Sequence, residues 1–133
     1  MQRSIATVSL SGTLPEKLEA IAAAGFDGVE IFENDLLYYD GSPREIKQMC
    51  ADLGIAITLF QPFRDFEGCR RDRLARNLER AERKFDLMQE LGTDLVLVCS
   101  NVAADSLGDE QILVDDLRLL AERAGARQLR IGY

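Results

Sequence analysis

Polar and charged side chains follow each of four short apolar runs in this sequence, at the points where strands would end. In parallel α/β folds, side chains at the carboxyl ends of the strands build the functional site, whereas the opposite ends of the strands serve stability. The clusters are Ser9 with Ser11, residues 30–35, residues 61–67, and Ser100 with Asn101. We therefore expect any chemistry of this chain to lie at one edge of a parallel sheet.

Three of these side chains could bind a ligand, and each has a structural alternative. Glu30 lies within an apolar run, where a charge is costly unless it is paired or used, so we favour function there. The planar guanidinium of Arg64 could bind a carboxylate or phosphate, or could pair with Asp65 or Glu67 on the surface. Asn101 could contact a substrate or could shape a turn.

Four glycines indicate the helices and strands that would position these clusters. Gly25, Gly54, Gly92 and Gly125 each follow a helix-like segment, and each is followed by a short strand-like run. Glycine at the end of a helix adopts a left-handed backbone without steric cost. Helix and strand alternate with a period of roughly 30 to 40 residues, which predicts serial βα units and a parallel sheet.

The predicted elements form one βαβαβαβαβ array without an interior domain boundary. Capping boxes at Thr13–Glu16 and Ser42–Glu45 predict two helix starts. The predicted strands span residues 4–10, 28–33, 56–60, 95–99 and 129–133, and the two longer helices span about 70–91 and 109–124.

Composition excludes several classes of function. The net charge of −7, from 23 acidic and 16 basic residues, argues against a nucleic-acid or anionic membrane surface. A basic stretch from Arg70 to Lys84 is expected to be a solvated helix face, with Asp72–Arg76 and Glu79–Arg83 as ion pairs. Three cysteines without motif spacing suggest reduced thiols in the cytoplasm. Histidine is absent, so a metal here would need oxygen ligands and not imidazole.

The segments IATVSLSGTLPEKLEAIAAAGFDGVEIFENDL, ITLFQPFRDFEG and LGTDLVLVCSN resemble the sugar phosphate isomerase/epimerase-like family, whose fold is a xylose isomerase-like TIM barrel. Within that family they are most similar to the bacterial 3-dehydroshikimate dehydratases. The resemblance covers the whole chain. It implies a partial (β/α)8 barrel consisting of four βα units and strand five, with parallel strands in the order 1-2-3-4-5.

The resemblance also implies a metal-dependent lyase that converts 3-dehydroshikimate to protocatechuate in quinate degradation. A divalent metal, Mg²⁺ or Mn²⁺, would hold substrate oxygens in the intact enzyme. The family's metal ligands come from strands five to eight, the first just after Tyr133, so we expect no metal bound by this chain. We expect Arg64 to anchor a substrate carboxylate and Phe66 to cover the ring. The side chains that we expect to contact substrate are Glu30, Glu33, Gln61, Arg64, Phe66, Ser100 and Asn101.

These features together predict that residues 1–133 are the truncated N-terminal half of a TIM-barrel domain. The isolated chain is expected to be inactive and to form homo-oligomers through the open edges at strands one and five. Two alternatives are a sugar phosphate isomerase or epimerase of the same superfamily and a non-catalytic α/β interaction module. The module would have a flavodoxin-like sheet, in which the strand order reverses.

Overall fold

The computed structural model describes all 133 residues and contains five strands and five helices, with one helix in each connection between strands except that between β2 and β3, which has two. The strands are β1 (Ser4–Ala6), β2 (Gly28–Phe32), β3 (Ala56–Phe63), β4 (Leu95–Val98) and β5 (Arg130–Gly132). The helices are α1 (Leu14–Ala23), α2 (Glu33–Leu37), α3 (Pro43–Asp52), α4 (Leu74–Leu91) and α5 (Glu110–Gly125). None of the five helices combines the length and the hydrophobicity of a membrane span.

The five strands form one sheet in the order β1-β2-β3-β4-β5, and every neighbouring pair is parallel. The predicted order is therefore confirmed, and the reversed order of a flavodoxin-like sheet is excluded. Helix α1 contacts α3, α3 contacts α4, and α4 contacts α5. This continuous layer covers one face of the sheet, which is the arrangement of an arc of a β/α barrel.

The hydrophobic core lies between the sheet and this layer of helices. Val29 and Ile31 of β2 are fully buried in it, together with Leu18 of α1 and Phe85 of α4. Successive side chains of a strand point to opposite faces of the sheet. Glu30, which lies between Val29 and Ile31, therefore points away from the helices, to the concave face of the arc.

Local sequence signals set the helix starts as predicted. The Ser42 hydroxyl accepts a hydrogen bond from the Glu45 N–H at 3.3 Å, and the Glu45 carboxylate accepts one from the Ser42 N–H at 2.5 Å. The Thr13 N–H likewise donates to the Glu16 carboxylate at 2.8 Å. These backbone hydrogen bonds hold the pKa of Glu16 and of Glu45 below the usual value.

Several element boundaries differ from the sequence-based prediction. Strand β2 ends at Phe32 and is followed by helix α2, which was not predicted, and helix α4 begins at Leu74 and not near Arg70. Strand β1 stops at Ala6, because residues 7–9 form a 3-10 turn. Strand β3 continues through Pro62 to Phe63, and its pairing with β4 shifts register between Phe60 and Phe63. Helix α5 runs through Gly125, and the left-handed residue that follows it is Gln128, with φ of 59°.

Candidate functional site

Two predicted side chains meet on the concave face of the sheet. Glu30 of β2 and Gln61 of β3 lie on neighbouring strands, and the Gln61 amide nitrogen donates to the Glu30 Oε2 at 3.0 Å. Both side chains are half-buried. Glu30 Oε1 and the Gln61 carbonyl oxygen make no other hydrogen bond in the chain, so the pair can still accept bonds from the hydroxyl groups of a ligand.

A buried carboxylate links the ends of three strands. Glu67 is 2% exposed, and its Oε1 accepts the Asn101 N–H at 2.5 Å and the Tyr133 hydroxyl at 3.3 Å. Its Oε2 is buried without a hydrogen-bond partner. Glu67 follows β3, Asn101 follows β4 and Tyr133 follows β5, so one carboxylate fixes the edge where a site would form. Glu67 lies in the predicted cluster 61–67, but its own predicted role was only that of a surface partner of Arg64.

Asp116 of α5 holds the loop that carries Glu67. Its carboxylate is 3% exposed and accepts the Gly68 N–H at 2.8 Å and both terminal nitrogens of Arg71, at 2.8 and 2.7 Å. This two-pronged bond raises the pKa of the Arg71 guanidinium. Gly68 has φ of +63°, and a Cβ there would lie 2.5 Å from Leu113 Cδ2. Only glycine fits this close approach of loop and helix.

Glu33 lies on the other side of the sheet from Glu30. Its Oε1 is 2.5 Å from Nζ of Lys84 on α4. The Lys84 ammonium also lies over the rings of Phe60 and Phe63, at 5.5 and 5.6 Å from their centroids. Burial lowers the pKa of Lys84, and the bond to Glu33 opposes that effect. Of the two glutamates predicted near the end of β2, only Glu30 reaches the concave face.

The remaining predicted side chains have different environments. Arg64 is exposed and makes no side-chain ion pair, so the alternative of a surface pair with Asp65 or Glu67 is not formed. Phe66 is fully buried against Phe63, with ring centroids 5.6 Å apart, and offers no surface to a ligand. Its ring therefore serves the core.

The two polar residues after β4 also differ from each other. Ser100 is exposed, whereas the Asn101 side chain is used within the chain. The Asn101 amide donates to the Glu67 carbonyl at 2.8 Å and accepts the Ala103 N–H at 2.9 Å. The turn-forming role left open by the sequence is the one that this geometry favours for Asn101.

The basic stretch is not a uniformly solvated face. Lys84 is buried, and Arg76 and Arg83 lack the ion pairs predicted from their spacing. Asp72 instead pairs with Arg70 at 3.0 Å. The face of α4 that carries Lys84 packs toward β3. The i, i+4 spacing of charges does not predict which face of a helix is buried.

The chain brings together no group of three or more aspartate, glutamate, cysteine or histidine side chains that could hold a metal ion. The concave pair supplies a single carboxylate, and the Glu67 carboxylate is enclosed by Asn101 and Tyr133. The residues present therefore do not form the ligand set of a divalent metal.

Two known proteins that resemble this chain along its whole length are both 3-dehydroshikimate dehydratases. The chain is 90% identical, over all 133 residues, to a 3-dehydroshikimate dehydratase of Pseudomonas putida, and 84% identical to one of Pseudomonas aeruginosa. The chain spans 21% of the length of these curated relatives. A solved xylose isomerase-like TIM barrel/4-hydroxyphenylpyruvate dioxygenase fusion protein matches with a TM-score of 0.98 and 89% identity, over all of this chain and 21% of that one.

More distant structures share the fold. The IOLI protein, solved with a bound zinc atom, matches 99% of this chain and 50% of its own with a TM-score of 0.86, at 18% identity. The family model that describes the xylose isomerase-like TIM barrel matches residues 18–133. The strand order, the single layer of helices and this match agree, and the chain belongs to the xylose isomerase-like TIM barrel family.

Proposed function

We propose that this chain supplies the N-terminal half of the barrel domain of a 3-dehydroshikimate dehydratase, acting in quinate degradation. The observation that carries the proposal is the 90% identity to the Pseudomonas putida dehydratase along the whole chain. The substrate is then a small, polar hydroxy acid, 3-dehydroshikimate, and the product is protocatechuate. Neither a nucleic acid nor a membrane is among the proposed partners, consistent with the net charge of −7.

The concave face would contribute substrate binding. Glu30 Oε1 and the Gln61 carbonyl oxygen are free to accept hydrogen bonds from substrate hydroxyl groups, and their mutual bond fixes both side chains. Arg64 is exposed at the end of β3, and a role as carboxylate anchor stays a prediction. Ser100 likewise stays a predicted contact. Glu33, Phe66 and Asn101 are already bonded or buried within the chain, and we do not include them in this proposal.

The dehydration removes a proton next to the substrate carbonyl and expels a hydroxyl group as water, which leaves the aromatic ring of protocatechuate. We assign the base for this step to no residue of the chain. We propose that the intact enzyme uses Mg²⁺ or Mn²⁺, with ligands from outside these 133 residues. We expect the isolated chain to be inactive.

The proposal is tested with a hybrid enzyme in which these 133 residues replace the matching segment of the Pseudomonas putida relative. We expect the hybrid to form protocatechuate from 3-dehydroshikimate with a kcat/KM within about tenfold of the relative's, because few side chains differ. The product's ultraviolet absorbance reports the reaction. A folded hybrid that leaves 3-dehydroshikimate unchanged, beside an active relative, would contradict the proposal and favour an isomerase or epimerase.

We further propose that the isolated chain forms homo-oligomers and belongs in the cytoplasm. Strands β1 and β5 are the two outer strands of the sheet, and their unpaired backbone groups invite pairing with a second copy. Sedimentation velocity should show a mass above 14.9 kDa that falls on dilution. A stable monomer at all concentrations would rule out the association. The three free cysteines support a reducing compartment.

A further inference from the structure

A second recess lies beside α4, at the ends of β2 and β3. Its volume is about 360 Å³, and its lining includes Glu33, Asn34, Arg64, Asp65, Arg80 and Lys84. An adjoining cavity of about 290 Å³ shares three of these side chains and adds Arg83. We call the two together the α4 cleft. Lys84 and Glu33 place it on the helix side of the sheet, apart from Glu30 and Gln61.

The α4 cleft is positively charged on an acidic chain. Four basic side chains line it, Arg64, Arg80, Arg83 and Lys84, against two acidic ones, Glu33 and Asp65. The whole chain has a net charge of −7. A local excess of positive charge in a recess concentrates anions from solution, because low-dielectric walls focus the field. The cleft therefore attracts anions, whereas the acidic remainder of the surface repels them.

The arginines of the cleft are not neutralised by carboxylates. Most arginines elsewhere in the chain lie within 4.0 Å of an acidic oxygen, as Arg70 does at 3.0 Å and Arg127 at 2.7 Å; Arg3 and Arg76 do not. No ion pair is formed by Arg64, Arg80 or Arg83. A guanidinium without a carboxylate keeps its capacity for a charged, two-pronged bond to another oxyanion.

Arg80 is held in place by neutral groups. Its Nη1 donates to Asn77 Oδ1 at 3.0 Å and its Nη2 to the Arg64 carbonyl at 3.3 Å. The guanidinium carbon lies 5.3 Å from the centroid of the Phe63 ring. These contacts fix the orientation of the guanidinium without cancelling its charge. Fixing a side chain before binding lowers the entropy that a ligand must overcome.

Lys84 forms the floor of the cleft. Its side chain is 9% exposed, and its ammonium has one carboxylate partner, Glu33. Removal from water disfavours the charged lysine, so its pKa is lowered despite that partner. An additional negative charge in the cleft would stabilise the ammonium.

We propose that the α4 cleft binds a small oxyanion with at least two negative charges. Inorganic phosphate, an organic phosphate and a polycarboxylate all have this charge and these oxygen acceptors. Arg80 and Arg64 would supply the guanidinium contacts, Lys84 the buried positive charge and Asn34 a neutral donor. Arg64 is the one basic side chain of the cleft that is also a predicted substrate contact, whereas Arg80, Arg83 and Lys84 have no part in the proposed substrate site.

The test is an NMR titration of the isotope-labelled chain with phosphate and, separately, with citrate, at ionic strength held constant with chloride. We expect saturable shifts of the Asn34 and Asp65 backbone amides with at least one of the two anions. Binding of one anion alone identifies the class of ligand. The Arg80→Gln variant should bind about tenfold more weakly or worse, since hydrogen bonds to charged groups contribute about 1.5–3 kcal/mol.

Arg76→Gln is the matched control, because Arg76 is an exposed arginine of α4 that lies outside the cleft and also lacks an ion pair. Its affinity should equal that of the unmodified chain. Arg64→Gln, at an exposed side chain, repeats the test if Arg80→Gln fails to fold. Shifts that never saturate with either anion, or an equal loss in Arg76→Gln, would overturn the proposal.

Discussion

Replacing Asp116 by alanine is expected to lower the free energy of unfolding by about 2–4 kcal/mol. The substitution leaves the Gly68 N–H buried without an acceptor and removes both bonds to Arg71. Because the loop that Asp116 holds also carries Glu67, the amides of Asn101 and its neighbours should shift in NMR spectra. Urea unfolding followed by circular dichroism measures the change in stability.

Asp115→Ala provides the control on the same helix. Asp115 is 55% exposed and pairs only with nearby side chains of α5, so its loss should change the stability by less than about 1 kcal/mol. Asp116→Asn keeps one acceptor oxygen, so its loss of unfolding free energy should lie between those of Asp116→Ala and Asp115→Ala. Equal stability of Asp116→Ala and Asp115→Ala would contradict the role given to Asp116.

Replacing Glu30 by leucine in the hybrid enzyme is expected to lower kcat/KM for 3-dehydroshikimate by about 10- to 100-fold, the value of one hydrogen bond to a charged group. Glu30 is half-buried on the concave face and has one partner, Gln61. An apolar side chain of similar size removes the acceptor without leaving a buried charge. The unfolding transition should therefore change little while activity falls.

Gln61→Leu should also lower kcat/KM. The double variant should lose less transition-state stabilisation than the sum of the losses in the two single variants. Two partners of one hydrogen bond couple in this way. Glu19→Gln serves as the control, because Glu19 is an exposed residue of α1. A Glu30→Leu hybrid as active as this control would remove Glu30 from the proposed substrate site.

Features set by neighbouring residues were predictable from the sequence. Gly25, Gly54 and Gly92 end their helices with φ of 74°, 71° and 75°, as their place after each apolar pattern indicated. Both capping boxes are also present. Such motifs depend on residues three or four apart, so the sequence contains all of their partners. The alternation of helix and strand predicted the parallel sheet, whereas the strand order was predicted from the family resemblance.

Features that depend on distant partners were not predictable. Asp116 bonds Gly68, 48 residues earlier, and Lys84 bonds Glu33, 51 residues earlier. Nothing local distinguishes Asp116 from the exposed Asp115 beside it. Glu67 was missed because its partners, Asn101 and Tyr133, reach it only after three strands lie side by side. The split between Glu30 and Glu33 depends on where β2 ends and α2 begins.

The most direct test of this account is the crystal structure of the hybrid enzyme with 3-dehydroshikimate bound. Substrate binding on the concave face predicts that a hydroxyl group of the ligand lies within about 3.2 Å of Glu30 Oε1 or of the Gln61 carbonyl oxygen. A ligand bound on the helix side of the sheet, out of reach of both oxygens, would contradict the assignment of the concave face as the substrate site.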